Sequence, residues 1–107
     1  MEKDFLEHSN EIRLLAVRGN AAGTEFVLAG SFVRLGRGTE NDIVLDDTNC
    51  SRSHAELIFE RGCYRARDLG SRNGIYVNGQ KISEVALKDG DLLRLGDTGF
   101  RYGVLLD

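Results

Sequence analysis

Long apolar runs are absent from this chain of 107 residues. No stretch approaches the roughly 20 apolar residues that a membrane-spanning helix needs, which argues against a membrane-spanning chain. Residues 1–7 also lack the basic start and the apolar stretch of a secretory signal, so we expect a cytoplasmic protein. Proline is absent altogether, but that absence decides nothing about function.

Cysteine is scarce, and the sequence has no excess of positive charge. The two cysteines, Cys50 and Cys63, are expected to be reduced thiols in the cytoplasm. With His54 they would offer three ligands at spacings that match no common zinc pattern, so we predict no metal site. The net charge of −3 repels nucleic acid and anionic membranes, so any anion site must be a local concentration of arginine.

The length and composition indicate one soluble globular domain. Hydrophobic residues make up 41% of the chain and charged residues 29%. A domain of this size buries roughly two-thirds of its unfolded surface in a single core. We assign residues 12–107 to that domain and the polar, aperiodic residues 1–11 to an N-terminal tail.

The chain is made of short strand-like runs separated by Gly, Asn and Asp, and it contains no convincing helix. We predict strands at residues 12–17, 25–28, 32–35, 43–45, 55–59, 64–69, 75–77, 92–95 and 100–106. Asn78-Gly79, between two such runs, is the signature of a tight hairpin because both central residues tolerate positive φ. The pattern predicts an all-β sandwich.

Several turns between these runs carry groups that bind anions. The stretches are Gly36-Arg37, Ser51-Arg52-Ser53-His54, Ser71-Arg72-Asn73-Gly74, Asn78-Gly79 and Lys88-Asp89-Gly90-Asp91. If the turns gather at one end of a sheet, their side chains can meet at a single ligand. The last stretch gives no particular reason to expect anion binding, and it is interpreted as an ordinary connection between strands.

The residue types in these turns suit a phosphorylated peptide. A phosphate monoester carries about two negative charges at neutral pH, and the planar fork of arginine binds it through paired, charge-assisted hydrogen bonds. Arg37 and Arg72 supply such forks, and Ser51 supplies a hydroxyl. Asn73 offers both a donor and an acceptor, which is what pinning an extended peptide backbone requires.

Four motifs follow one another along the chain: Gly36-Arg37, Ser51-x-x-His54, Ser71-x-Asn73-Gly74 and Asn78-Gly79. Their order and spacing strongly resemble those of the forkhead-associated (FHA) domain. The resemblance covers roughly residues 12–106. It implies a β-sandwich of two mainly antiparallel sheets with about eleven strands, whose loops at one end bind phosphothreonine peptides. It also implies no catalytic activity and no cofactor.

The resemblance assigns roles to individual residues. Arg37 and Ser51 match the phosphate-contacting arginine and serine, and Arg72 also faces the phosphate. Asn73 matches the asparagine that holds the peptide backbone after the phosphothreonine. The residues expected to support the loops are Gly36, His54, Gly74, Asn78 and Gly79, and those expected to make peripheral contacts are Asn49, Arg52 and Ser71.

Two features depart from the family or vary within it. Ile75 stands where the family usually has threonine, and we expect it to alter packing more than binding. The selectivity loop at residues 46–50 varies widely among relatives. Its acidity points to a basic or neutral residue on the C-terminal side of the phosphothreonine.

Other functions fit less well. Ser51 and His54 could belong to a hydrolase triad, but the Gly-x-Ser-x-Gly elbow is missing. The stretch that begins at Gly36 lacks the third glycine and the βαβ setting of a dinucleotide loop. The sequence therefore predicts a partner that is a threonine-phosphorylated protein, or the protein's own longer chain, with a Ser/Thr kinase upstream. The alternative is a scaffold or oligomerisation domain of the same fold that associates through a sheet face, independently of phosphate.

Overall fold

A computed structural model describes residues 11–105, which form eleven strands in two sheets. The strands are β1 (Glu11–Arg18), β2 (Glu25–Val27), β3 (Phe32–Gly36), β4 (Ile43–Val44), β5 (Ala55–Glu60), β6 (Cys63–Asp68), β7 (Ile75–Val77), β8 (Gln80–Ile82), β9 (Glu84–Ala86), β10 (Leu92–Leu95) and β11 (Thr98–Leu105). The predicted all-β sandwich is confirmed. Within this range no helix is long and apolar enough to cross a membrane.

The strand boundaries refine the sequence prediction at a few places. Two further short strands, β8 and β9, follow the predicted run at residues 75–77. β9 has only three residues, too few for alternation to reveal it as a strand. Glu11, assigned to the tail, is the first residue of β1, and the rest of the predicted tail lies outside the described residues.

The two sheets have the strand orders β2-β1-β11-β10-β7-β8 and β4-β3-β5-β6-β9. Every pair is antiparallel except β3 with β4. The long β1 and β11 pair from Glu11↔Leu105 to Arg18↔Gly99, with an irregularity between Ala16 and Arg18. This register brings the end of β1 and the start of β11 to the same end of the sandwich.

The core lies between the sheets and follows the period-2 pattern of each strand. In β6, Tyr64 and Ala66 are buried while Arg65 and Arg67 lie on the outer face, as the alternation predicted. The fully buried side chains include Leu14, Leu35, Leu57, Leu93, Phe100 and Tyr102. The Tyr102 hydroxyl accepts a hydrogen bond from the Tyr64 amide at 3.0 Å, so the phenol is satisfied inside the core.

The β7–β8 hairpin turn has the predicted form. Asn78 and Gly79 both have positive φ, 51° and 85°, and Val77 pairs with Gln80 across the turn. The Asn78 side chain donates to Asp91 Oδ1 and accepts from the Leu92 amide. These bonds join the β7–β8 turn to the turn before β10.

The expectation that all five stretches gather at one end is therefore only partly met. β7 begins at the Gly74 end and finishes at Asn78-Gly79, so this turn lies at the opposite end of the sandwich from the loops around Arg37. The Lys88–Asp91 turn is at that opposite end too, because Asp91 binds Asn78. Asn78 supports a loop, but not one of the loops that carry the arginines.

Candidate functional site

Three loops meet at one end of the sandwich because β3 and β6 end there while β5 and β7 begin there. They are the β3–β4 loop (37–42), the β4–β5 loop (45–54) and the β6–β7 loop (69–74). The β10–β11 turn at Gly96 and Asp97 closes the same end. The loops are thus positioned by rigid strands of both sheets.

The four residues predicted to bind the phosphopeptide line one cavity of about 220 Å³ in these loops. Its lining residues are Arg37, Thr48, Asn49, Cys50, Ser51, Arg52, Arg72 and Asn73. The cavity also includes Asn49 and Arg52, two of the three predicted peripheral residues. Three arginines at one small site form the local positive charge that the acidic chain as a whole lacks.

Gly36 is required by a close approach of two backbones. It is the last residue of β3, and a Cβ built on it would collide with the carbonyl oxygen of Arg52. Next to it, the Arg37 amide donates to the Ser51 carbonyl at 2.9 Å. Gly36 is therefore needed for the close packing of β3 against the β4–β5 loop, whereas Gly74 and Gly79 have positive φ.

Arg37 is exposed and held by one hydrogen bond. Its Nε donates to the Cys50 carbonyl at 3.2 Å, which orients the guanidinium along the cavity wall. Among the described residues it forms no salt bridge. Its remaining N–H groups are therefore available to an anion.

Ser51 connects two of the loops. Its Oγ accepts a hydrogen bond from the Arg72 amide at 2.9 Å, so its own proton remains free to be donated. A hydroxyl in this state suits an oxyanion in the cavity. The same bond fixes Arg72, whose exposed side chain also lines the cavity.

His54 is fully buried and bridges the β4–β5 and β6–β7 loops. Its Nδ1 accepts from the Ser51 amide at 3.0 Å, and its Nε2 lies 2.8 Å from the Gly74 carbonyl oxygen. An amide can only donate and a carbonyl can only accept, so the ring is neutral with its proton on Nε2. This geometry agrees with the predicted bracing role.

Asn73 lines the cavity from the β6–β7 loop. Its Nδ2 donates to the Asn49 carbonyl at 2.9 Å, and its side chain is exposed. The oxygen of this amide is bonded to no other described residue, so it can accept an N–H from an extended peptide.

Ser71 and Arg52 are engaged within the protein. The Ser71 hydroxyl donates to Asp68 Oδ1 at 2.6 Å and accepts from the Gly74 amide at 2.8 Å, which stabilises the β6–β7 turn. Ser71 does not line the cavity, in contrast to the predicted peripheral contact. Arg52 Nη2 lies 3.5 Å from Glu40 Oε1. Both side chains are mostly exposed, so this ion pair contributes little to the stability of the fold.

Sequence reasoning missed Asn41 as a structural part of the site. Asn41 is 7% exposed, and its Nδ2 donates to the carbonyls of Gly38 and Arg52 at 2.8 and 2.7 Å. It thereby holds the β3–β4 loop against the β4–β5 loop. No local pattern distinguishes this buried asparagine from an ordinary turn residue, because its partners come from both loops.

Asp47 was also missed, although it organises the selectivity loop. Its Oδ1 accepts from the Asn49 amide, and its Oδ2 accepts from the Asp97 amide and the Thr98 hydroxyl. Burial by itself raises the pKa of Asp47, but the hydrogen bonds from Thr98, Asn49 and Asp97 outweigh it and hold this pKa below its usual value. The carboxylate therefore faces inward and stays ionised.

Cys50 lies on the cavity wall, but its thiol is buried. Desolvation, reinforced by the Asp47 charge, raises the pKa of Cys50 to about 12. Its Sγ donates to the Leu95 carbonyl. The thiol is therefore protonated at neutral pH and contributes packing to the loop.

A β-sandwich that presents arginine, serine and asparagine side chains from loops at one end is an interaction module for an anionic group on another chain. Residues 33–96 match the FHA domain family. The chain therefore belongs to that family, which confirms the resemblance found in the sequence.

Individual relatives agree with this assignment. The chain is 39% identical to the glycogen accumulation regulator GarA of Mycolicibacterium smegmatis, over 82% of its own length and 56% of GarA. It thus spans about half the length of that relative. The structure also resembles EmbR of Mycobacterium tuberculosis in complex with a low-affinity phosphopeptide, with a TM-score of 0.82, 36% identity, and coverage of 91% of this chain and 25% of EmbR.

A further solved structure comes from an investigation of phosphothreonine-dependent FHA domain interactions. It matches with a TM-score of 0.80 and 30% identity, and the alignment covers 87% of this chain and 95% of that one. The match extends over almost the whole of the other domain.

Proposed function

We propose that this domain is a phosphothreonine-dependent interaction module that binds a threonine-phosphorylated segment of a partner protein or of its own longer chain. The phosphate is bound by the guanidinium groups of Arg37 and Arg72 and by the hydroxyl of Ser51. Asn73 holds the peptide backbone next to the phosphothreonine. The supporting observation is that all four side chains line one cavity.

The donors in the cavity match the ligand chemistry. A phosphate dianion needs several hydrogen-bond donors in a fixed arrangement, and both the Arg37 side chain and Ser51 are oriented by bonds to the backbone. Because His54 and Asn41 hold the three loops together, little ordering is needed when the ligand binds. The relatives with phosphopeptide and phosphothreonine interactions support the same ligand class.

The proposal includes a Ser/Thr kinase that modifies the target and a cytoplasmic setting in which the domain and the kinase meet. No catalytic step and no cofactor are part of it. The domain acts by recruiting the phosphorylated segment. The effect of binding therefore depends on the other domains or groups that are joined to that segment or to this chain.

A titration tests the proposal directly. The domain is titrated with a degenerate phosphothreonine peptide library, its unphosphorylated twin and its phosphoserine twin, and binding is followed by fluorescence anisotropy. We expect measurable affinity for the phosphothreonine peptides and a large loss for the unphosphorylated twin. Equal affinity for both would contradict phosphate recognition and favour a scaffold that associates through a sheet face.

The affinity should also fall with pH. A phosphate monoester loses its second charge as the pH drops through about 6, so binding is expected to weaken steadily between pH 7.5 and 5. Asp47 stays ionised in this range: its lowered pKa stabilises the fold at every pH above about 4, and that contribution is lost only below it. Melting curves recorded at each pH separate ligand protonation from unfolding, and a flat affinity profile would argue against dianion recognition.

A further inference from the structure

Apolar side chains are exposed on the outer face of the six-stranded sheet. They are Leu15, Val17, Val27, Leu92 and Leu105. Strand pairing places Leu15 and Leu92 on either side of Arg101, which lies on the same face of β11. Gly103, two residues further along β11, has no side chain, and a Cβ built on it would meet no atom within 4 Å. This face is therefore an apolar surface with open space beside an arginine, and exposed apolar groups that share one face indicate an interaction surface.

The same face is positively charged, although the chain as a whole is acidic. Its strand positions carry more cations than carboxylates, namely Arg13, Arg94, Arg101 and Lys81 against Glu11 and Glu25. Both carboxylates bind Arg13. The Arg94 guanidinium carbon lies 4.2 Å from the centre of the Tyr76 ring. Within residues 11–105, Arg101 forms no salt bridge, so an acidic occupant of this face would meet an unneutralised guanidinium.

The composition of residues 1–10 complements this face. They contain three carboxylates, Glu2, Asp4 and Glu7, and a single lysine. Phe5-Leu6 stands between two of the carboxylates. An apolar pair flanked by negative charges matches an apolar surface that surrounds an arginine. A second copy of the face would instead bring like charges together, which disfavours a dimer through it.

The length of the segment permits the contact. Residues 1–10 lead directly into Glu11, the first residue of β1. Phe5 is six residues before Glu11, a span of up to roughly 20 Å when extended, and Leu15 is four residues after it, about 14 Å along the strand. Ser9-Asn10, just before β1, are residue types that form tight turns. A segment that reverses there can bring its apolar pair over the exposed leucines of β1 and β10.

We propose that the outer face of the β2-β1-β11-β10 sheet is a docking surface for residues 1–10 of the same chain. Phe5 and Leu6 cover Leu15 and Leu92, and the flanking carboxylates bind Arg101. The docked segment shields this face from other acidic segments, and a partner with the same pattern would compete for it. The contact uses none of the side chains of the proposed phosphate site, so it is independent of the proposed function.

A double-mutant cycle in the full chain tests the contact. Leu6→Ser and Leu92→Ser should each lower the melting temperature by about 4 °C, because each removes one side of the same apolar contact. The double variant should melt at nearly the same temperature as either single variant, since the contact can be lost only once. Phe32→Ser is the matched control, because Phe32 is exposed on the outer face of the other sheet. Its effect should add to that of Leu6→Ser.

A zero-length cross-link reports where the segment lies. In Arg101→Lys, a carbodiimide should couple the introduced amine to Asp4 or Glu7 of the same chain, and fragmentation of the tryptic peptides identifies the carboxylate. Arg34→Lys is the control, because Arg34 is an exposed arginine on the outer face of the other sheet. It should give no cross-link to residues 1–10.

Three results would overturn the proposal. The first is a set of additive melting shifts for Leu6→Ser and Leu92→Ser. The second is the absence of a cross-link to residues 1–10 in Arg101→Lys. The third is a cross-link that forms only between isotopically labelled and unlabelled chains, which would assign the face to a contact between two copies. None of these measurements uses a phosphopeptide, so a failure here leaves the proposed function intact.

Discussion

Arg37→Ala is expected to weaken phosphopeptide binding at least about 100-fold while leaving the melting transition almost unchanged. Hydrogen bonds to charged groups contribute about 1.5–3 kcal/mol each, so losing a paired set from one fork costs about 3 kcal/mol or more, and each 1.4 kcal/mol is about tenfold in Kd. The side chain is exposed and makes one hydrogen bond, to Cys50, so its removal should change the free energy of unfolding by no more than about 0.5 kcal/mol. Calorimetric titration and thermal denaturation of the same preparation measure both quantities.

The control for this prediction is Arg61→Ala, which removes an equal charge from the opposite end of the sandwich. Its affinity should stay close to that of the unmodified domain at physiological salt. A large drop in melting temperature for Arg37→Ala would show that the arginine is structural. An unchanged Kd would remove it from the phosphate site.

His54→Ala should have the largest effect on stability among the site residues. The imidazole is fully buried, and without it the Ser51 amide and the Gly74 carbonyl both lose their partner. Each unsatisfied group costs about 1–3 kcal/mol, so the free energy of unfolding should fall by about 3 kcal/mol and the melting temperature by roughly 15 °C. The affinity of the molecules that remain folded should also fall, about tenfold or more, because the loops carrying Ser51 and Arg72 are no longer held together.

Leu57→Ala separates loop geometry from stability. Leu57 is fully buried in β5. Truncating a core leucine to alanine should lower the free energy of unfolding by about 3 kcal/mol, as much as the loss expected for His54→Ala. Below the melting transition of both variants, Leu57→Ala should bind phosphopeptide normally and His54→Ala should not. Equal affinities would show that His54 contributes to the fold alone.

Much of the fold was predictable from local chemistry. Period-2 alternation identified β6 and its two faces, and positive φ at adjacent residues explains why Asn78-Gly79 marks a hairpin. Ile75, which departs from the family pattern, is fully buried at the start of β7, where its side chain belongs to the core. The three-residue β9 was not predictable, because it is too short for alternation to reveal and its assignment rests on pairing with β6.

The candidate site was predictable as a set of residue types. Arginine forks, a serine and an asparagine in ordered turns point to phosphate chemistry, and Arg37, Ser51, Arg72 and Asn73 do line one cavity. The roles of Asn41 and Asp47 were not predictable, because each also binds a backbone group distant in sequence, the Arg52 carbonyl and the Asp97 amide respectively.

The sequence by itself determined that the chain is an all-β domain with cationic turns and that its family is the FHA domain, since alternation, turn residues and motif spacing are local properties. Only the tertiary structure decided which turns share an end of the sandwich. It placed Asn78-Gly79 away from the site, showed that Gly36 is needed for a backbone contact, and brought Leu15 and Leu92 to either side of Arg101. Those relations depend on the register of strands far apart in the chain, which is set by packing of the whole core.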